Sequence, residues 1–541
     1  MNGLGRASAY LGAGTMVSRL TGLLRTVVLV GLVGSVGSEV ADAFSVANQL
    51  PTSVFNLISA GVLTSVLVPQ IIRAGAQHDG GSAFISKLFT LATVVLVAVT
   101  AGIMLAAPWL VAVLLGNSGS VEQLALATAF AYWCLPQILF YGLYALIGET
   151  LNARRVYGPF TWSPIANNAI SIVGFLLIAA VFGQDLVNLS AWTPEMVAWL
   201  GGTATVGIAA QAGVLVFFWR RTGLRLGIDF RWRGAGLGNV GRVAWWTFLM
   251  ALSTMVAGFY QMQVTSAASG AGASITVMAN AWLIFMLPYS IIVHSIGTPY
   301  FTQLSEHAAA KRDDLVRADI GRSIRILSFF LMGAMAAVAA AAVPASRVFT
   351  NSAVDAETAA TVLLCYLVGL LPLAVLFIVQ RTFYAYGDTK TPFWFTVFQC
   401  ILVVGTAAAA AAATDAEVLP VTHLAAAVAL GQSFAGAIQT VVATVLLRRR
   451  LGGLKIGNWV PALGRFSVAA VPAGLAGWSL YLLLGGSEGW LVAEKWTGVL
   501  GSVVIGLAVL GIYVAMLGLF RDPDLRQALR PLFRRSHPQM R

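Results

Sequence analysis

Two arginines, Arg19 and Arg25, stand in an apolar run that extends from about Ala7 to Val36. The run exceeds the ~20 residues that a bilayer-spanning helix needs. A guanidinium at mid-membrane costs at least ~2.5–3.5 kcal/mol, and it keeps its proton. Arginines placed there must face a wet cavity or a partner, and a fixed cation in a cavity holds an anion. On a straight helix the two point about 120° apart. They line one cavity if the helix bends, and Gly22 between them permits a bend. A structural reading stands beside this one, in which both arginines snorkel or pair with an acid.

More polar groups follow. Asp42 opens a second apolar run. It reads as a helix N-terminal acid interacting with the dipole, or as a countercharge to Arg25 or a gate at the outer mouth. The same run carries Asn48, Gln49, Asn56, Ser59, Thr64 and Ser65. Asn56 and Ser59 share a face, and a polar stripe in a membrane helix faces protein or water rather than lipid. Helix packing accounts for the hydroxyls, less well for the amides. Glu149 closes the fourth run ahead of Arg154 and Arg155, where it pairs at the interface or meets substrate. Asn167 and Asn168 follow Pro164 and suit either a headgroup contact or helix–helix bonding. His294 is the histidine well inside a run. It is able to hold a proton or an anion, or simply to bond a carbonyl. No nucleophile–base set, metal cluster or phosphate-binding glycine loop appears. The chain reads as no enzyme, with no cofactor and no metal.

The elements that carry these residues are membrane helices. Of 541 residues, 58% are hydrophobic and 10% charged, against roughly 25% charged in soluble domains. Mean hydropathy is +0.82. We count fourteen apolar spans: 8–34, 42–73, 84–115, 122–151, 158–183, 195–219, 241–268, 274–304, 320–346, 357–384, 391–414, 421–447, 460–485 and 496–520. With the N-terminus in the cytoplasm, the inside loops gather clusters such as Arg220, Arg221, Arg225 and Arg448–Arg450, and the tail adds more. The outside loops hold only Arg347 and Lys495 of the 33 basic residues. A miscounted span would scramble this alternation, so fourteen helices with both ends inside are expected. The net charge of +12 sets topology and attracts anionic headgroups rather than nucleic acid. Cys134, Cys365 and Cys400 read as small core residues without a disulfide framework. The first run is too long and too basic for a cleavable signal.

An internal repeat is legible. Gly148 to Ala153 followed by Pro159-Phe160 closes span four, and Gln380 to Ala385 followed by Pro392-Phe393 closes span ten. Gly61 with Pro69 echoes Gly297 with Pro299 more weakly. A shift of six helices makes the repeats parallel, related by an axis along the membrane normal. The expected division is a lobe at 1–220, a second at 221–450, two further helices at 451–520 and a basic tail at 521–541.

Ser18-Arg19-Leu20-Thr21-Gly22-Leu23-Leu24-Arg25 resembles the first-helix motif of the MurJ (MviN) family of lipid II flippases. Asp42-Ala43-Phe44 with Leu50-Pro51 is similar to the opening of that family's second helix. Phe383-Tyr384-Ala385-Tyr386-Gly387-Asp388-Thr389-Lys390-Thr391-Pro392 resembles its signature before helix eleven. The resemblance implies an all-α polytopic fold of the MOP exporter superfamily. Two six-helix lobes would surround a central cavity, with helices 13 and 14 forming a groove for a lipid tail.

It also implies that Arg19, Arg25, Asp42 and Asn168 match functional family positions. Asn48, Asn56, Ser59 and His294 join them as candidate substrate contacts, and Ser18, Gly22, Glu149 and Asp388 as gate or structural positions. Two departures stand out. Helix two has Phe55-Asn56 where many relatives have arginine, and Ala281 to Met286 is uncharged where many have a charged cluster. No acid lies within span seven, against a sodium site there. The implied activity moves undecaprenyl-pyrophosphate-linked peptidoglycan precursor from the inner to the outer leaflet of the bacterial cytoplasmic membrane by alternating access. Lipid II is the implied partner, with cell-wall synthesis or division proteins as further candidates. A flippase for another polyprenyl-linked glycan, or a related MOP-type exporter, is the alternative.

Overall fold

The structure, a computed structural model, describes residues 3–59, 79, 81–116, 119–154, 156, 158–183, 186–231, 241–454 and 459–526. Side chains are not described at 3–13, 241–244, 294, 298 and 299. All regular structure among the described residues is helical. In hydrocarbon, a helix satisfies every backbone polar group within its own segment. The helices are α1 (Gly3–Val33), α2 (Glu39–Ile58), α3 (Ser82–Leu115), α4 (Val121–Cys134), α5 (Gln137–Ala153), α6 (Gly158–Phe182), α7 (Pro194–Phe218), α8 (Gly241–Ser266) and α9 (Ile275–Pro288). There follow α10 (His294–Ala309), α11 (Asp313–Ala340), α12 (Ala342–Arg347), α13 (Ala353–Leu367), α14 (Leu370–Ala385), α15 (Lys390–Asp415), α16 (Leu424–Arg450), α17 (Val460–Leu483) and α18 (Lys495–Leu519).

Among the described residues, 12 helices are long and apolar enough to cross a membrane. Three are composite. Val121–Ala153 joins α4 and α5 across Pro136, Ile275–Ala309 joins α9 and α10, and Ala353–Ala385 joins α13 and α14. Each coincides with one apolar run read from the sequence. The second and seventh runs are also helical, as α2 and α8, but are not among the 12. The second run continues beyond the described residues, which leaves Gly61, Thr64, Ser65 and Pro69 outside them. The tail beyond residue 526 lies outside as well.

The chain divides into two compact units, Met1–Thr276 and Val277–Arg541. In the first, α2 turns Val40, Phe44, Ala47 and Leu50 into a core with Leu114 of α3 and Phe130 of α4. Phe44 meets Phe130 edge-on, centroids 5.3 Å apart. The connections after α1, α3, α6 and α8 meet at one end of this unit. Gly37 N donates to Gly272 O at 3.0 Å, Ser266 Oγ to Leu115 O at 2.7 Å and Leu186 N to Leu32 O at 3.0 Å. These are connections that the charge alternation assigns to one side. Gly34 and Gly37 turn the chain between α1 and α2 at φ +79 and +67, where a side chain would be strained.

The sequence repeat has a packing counterpart inside each unit. In the first, the halves α4 and α5 both pack on α7, which packs on α6. In the second, α13 and α14 both pack on α16, which packs on α15. Gly148 is small for a visible reason, since a Cβ there would stand 2.1 Å from the Phe160 ring. The second unit is closed by α17 and α18 packing on α11. Arg325 on α11 bonds Asp524 at 2.7 Å, and Arg465 on α17 bonds the buried Asp522 at 2.8 Å.

Candidate functional site

Helix α1 runs unbroken through both arginines, so Gly22 does not interrupt it. Arg19 is exposed and Arg25 half-buried. Among the described residues, neither guanidinium has a hydrogen-bond or ion-pair partner. Tyr141 of α5 lies within electrostatic reach of Arg25, and the side chain of Thr52 bonds its phenol. Tyr141 also stacks on Phe55 of α2, centroids 5.3 Å apart. Arg25 thus stands beside aromatic and hydroxyl groups of two other helices.

Asn168 fixes the turn between the two arginines. Its Nδ2 donates to Ser18 O at 3.0 Å and to Thr21 Oγ1 at 2.9 Å. It is 6% exposed. Gly22 faces the same amide, and a Cβ there would meet it at 3.6 Å. Ser18, Gly22 and Asn168 therefore form one contact that holds α1 against α6 and sets the azimuth of Arg19 and Arg25.

Asp42 is fully buried. Its carboxylate accepts from Ser269 Oγ at 2.7 Å, from Ser274 Oγ and from Thr276 N at 2.9 Å. Ser45 and Thr276 hydroxyls bond at 2.8 Å beside it. Among the described residues, Asp42 makes no ion pair with Arg25. Its carboxylate ties the start of α2 to the turn that follows α8.

Along α2, Asn48 Oδ1 accepts from the buried Gln137 Nε2 at 3.2 Å. Asn56 is exposed and Ser59 half-buried at the described end of the helix. Glu149 is half-buried near the end of α5 and bonds the Asn152 side chain. Its expected neighbour Arg155 lies outside the described residues. So does the side chain of His294.

Asp388 is placed by the start of α15. It accepts from Thr391 N at 3.0 Å and Thr391 Oγ1 at 2.8 Å, and Arg450 Nη1 reaches it at 2.5 Å. Burial pushes its pKa up. The Thr391 bonds and Arg450 outweigh that and hold it below the ordinary carboxylate value.

The structure thus brings Ser18, Gly22, Arg19, Arg25 and Asn168 together, with Tyr141 and Thr52 added. Asp42 and Asn48 belong to separate contacts of the same unit, and Asp388 to the second unit. The sequence reading missed Tyr141, Gln137, Ser269 and Ser274. Only the small, hydroxyl-rich stretch Ser266 to Ser274 hinted at the Asp42 partners.

An apolar groove of about 450 Å³ opens in the second unit between α11, α13 and α17. Met332, Met335, Leu364, Val471, Leu475 and Trp478 line it. It is continuous through Leu364 and Trp478 with a more polar hollow of about 520 Å³ beside Glu357 and Glu488. In the first unit, an open groove of about 580 Å³ between α6 and α7 is lined by residues such as Val173, Leu177 and Trp199. It has no charged lining and no chemistry for a polar headgroup. Among the described residues, no His, Cys, Asp and Glu cluster could hold a metal ion.

A family model described as Lipid II flippase MurJ matches residues 36–508. A probable lipid II flippase MurJ of Rhizobium tropici is 24% identical over 94% of this chain and 93% of that protein. One from Rickettsia prowazekii is 24% identical over 73% of this chain and 76% of that protein. Among solved structures, Lipid II flippase MurJ in an inward closed conformation aligns with a TM-score of 0.71 at 18% identity. It covers 95% of this chain and 99% of that one. An inward-facing multidrug resistance MATE family transporter of the MOP superfamily aligns with a TM-score of 0.64 at 16% identity, over 82% of this chain and 98% of that one.

Proposed function

The chain belongs to the MurJ family of lipid II flippases, and from that premise we propose that it carries lipid II from the inner to the outer leaflet. The family is one of transporters rather than enzymes. The chain is a multi-pass protein of the cytoplasmic membrane. The observation that carries the substrate reading is the pair of α1 arginines, without an ion-pair partner among the described residues and oriented by the Asn168 contact.

The substrate's headgroup is large, polar and anionic, so unaided crossing would bury many unsatisfied groups. Arg19 and Arg25 clasp its pyrophosphate through charge-assisted hydrogen bonds. Asn48, Asn56 and Ser59 on α2 meet the sugars, with Asp42 holding the start of that helix and His294 available on α10. The polyprenyl tail stays apolar throughout, and the groove beside α17 suits a stretch of it in chemistry.

Fourteen helices with both ends in the cytoplasm follow from the charge alternation. The packing that recurs in each unit supports two duplicated lobes, 1–220 and 221–450, followed by 451–520 and the tail 521–541. Transport proceeds by rocking of the lobes. An inside-negative potential favours outward movement of an anion by ~2.3 kcal/mol per charge per 100 mV. Flipping that is indifferent to collapse of the potential would remove that drive.

The test is lipid II exposure on the outer leaflet after depletion, with rescue by wild type, Arg19→Ala and Arg25→Ala. Rescue by wild type alone supports the reading. Unchanged lipid II exposure, with another polyprenyl-linked glycan accumulating inside, moves the assignment to that glycan.

A further inference from the structure

Arg381 lies on α14, about one turn before its C-terminal end. Two rings hold its guanidinium, Phe301 of α10 at 5.0 Å and Phe377 of α14 at 5.1 Å to the centroids. The seat is built by an interlock of two helices. Phe377 and Arg381 are one turn apart on α14, as Gly297 and Phe301 are on α10. A Cβ on Gly297 would stand 2.5 Å from Phe377 Cε1, so glycine is what admits the ring.

Four other arginines of this unit are neutralised or saturated. Arg325, Arg450 and Arg465 pair with Asp524, Asp388 and Asp522. Arg347 donates to the carbonyls of Thr350, Val492 and Ala493. Arg381 is half-exposed and has no carboxylate partner among the described residues. Aromatic contacts hold a guanidinium by its π-face, while its N–H donors point outward in the plane. That leaves a positioned, uncompensated fork whose geometry matches two phosphate oxygens. The neighbouring span has no charge of its own from Ile275 to Pro288.

We propose that Arg381 is a further anion-binding residue, an aromatic-seated guanidinium that contacts the diphosphate of the polyprenyl-linked substrate as it enters from the cytoplasmic leaflet. The assignment rests on the lipid-linked substrate read above and on the inside location of the α14–α15 connection. The shared chemistry is a lipid phosphate ester, which an anionic phospholipid also offers, so the test separates the two.

The full chain, purified in neutral detergent, is titrated with undecaprenyl diphosphate and, separately, with dioleoylphosphatidylglycerol. Arg381→Gln is expected to weaken undecaprenyl diphosphate binding at least about tenfold, the loss of one bidentate charge-assisted contact, with phosphatidylglycerol binding unchanged. Arg381→Lys keeps the charge and loses the fork, so it falls between the two. Arg448→Gln, on the exposed end of α16, matches wild type.

Unchanged undecaprenyl diphosphate affinity in Arg381→Gln overturns the proposal. So does an equal loss for both lipids, which would make the residue a general headgroup contact. If Arg381→Gln does not fold, Phe301→Leu tests the same seat with the charge kept, and about threefold weaker binding is expected. Equal affinity in that variant would also overturn it. Lipid II flipping in vesicles keeps the two readings apart. Wild type that binds undecaprenyl diphosphate through Arg381 but moves no lipid II refutes the lipid II reading and leaves this site standing. Wild-type flipping with an indifferent Arg381→Gln does the reverse.

Discussion

Replacing Asp42 by alanine leaves three donors without their acceptor in a fully buried place. The Thr276 N–H, 2.9 Å from Oδ1, has no rotor with which to seek another partner. Ser269 Oγ still accepts from Gln123 Nε2 at 2.8 Å but loses the acceptor for its own proton, and Ser274 loses the same. Each orphaned donor costs about 1–3 kcal/mol, while removing a buried charge returns part of its desolvation. The net loss is about 3 kcal/mol, worth roughly 3 °C in the unfolding midpoint of a chain this long. Asparagine keeps an oxygen for Thr276 N–H, and its amide donates to the two hydroxyl oxygens once they turn their protons away. Asp42→Asn therefore costs only about 1 kcal/mol. The assay is thermal unfolding of purified protein by tryptophan fluorescence, beside lipid II exposure in depleted cells. The expected result is a destabilised alanine variant and a nearly native asparagine variant that still rescues exposure. An asparagine variant that folds normally yet fails to rescue would refute the reasoning, because the negative charge itself would then be required.

The same logic extends to other positions. Arg25→Ala should abolish rescue while leaving the unfolding midpoint within about 1 °C, since among the described residues that guanidinium makes no hydrogen bond or ion pair whose loss would register. Arg347→Ala should lower stability by about 3 kcal/mol, because three carbonyls lose their donors, and Arg347→Lys should recover only part of it. The Asp388 pKa is lowered in the fold, so its contribution is present above the ordinary Asp value and lost as pH falls through the folded one. As pH falls below the ordinary Asp value of about 3.9 and through the lower folded one, the stability gap between wild type and Asp388→Asn should close, which unfolding midpoints at stepped pH would measure. Gly148→Leu should separate α5 from Phe160 at a cost of at least about 3 kcal/mol, read as lost stability rather than a selective loss of transport.

Much of the fold was legible because lipid makes the signal nearly all-or-none. A helix that crosses hydrocarbon must be apolar for about 20 residues, and a charge inside it must have a use. That is why both the helices and the arginines of α1 could be read from the chain. Arg347 shows where the rule fails. It counted as one of two exceptions among the outside loops, yet in the fold it is a buried donor to the turn before α18. The positive-inside rule weighs charges against the membrane and is blind to carbonyls that only tertiary structure brings near. Asn168 was legible as a polar group with two readings, and its bonds to Ser18 and Thr21 place it between them. It is a helix–helix contact whose consequence is the orientation of the arginines.

Asp42 was the hardest residue to read, and its placement bears on the arginines. Its partners Ser269, Ser274 and Thr276 lie far along the chain, in the turn after α8 and at the start of α9, so nothing local pointed to them. Asp42, the acid that opens the next apolar run, was the natural partner for Arg25. Had the two paired, the bridge would have cancelled the positive field that α1 presents, and an incoming pyrophosphate would have had to displace a buried carboxylate. The fold satisfies the acid with hydroxyls and a backbone N–H, groups without net charge. Asp42 can then hold the start of α2 while both arginines keep their full charge for a ligand. The same separation recurs in the second unit, where Arg450 neutralises Asp388 beside the signature loop and Arg381 rests on aromatic faces instead. In both units, cations without carboxylate partners among the described residues are oriented by neutral groups, an amide in one and two phenyl rings in the other. Orientation by neutral partners is the arrangement that the proposed anion binding calls for.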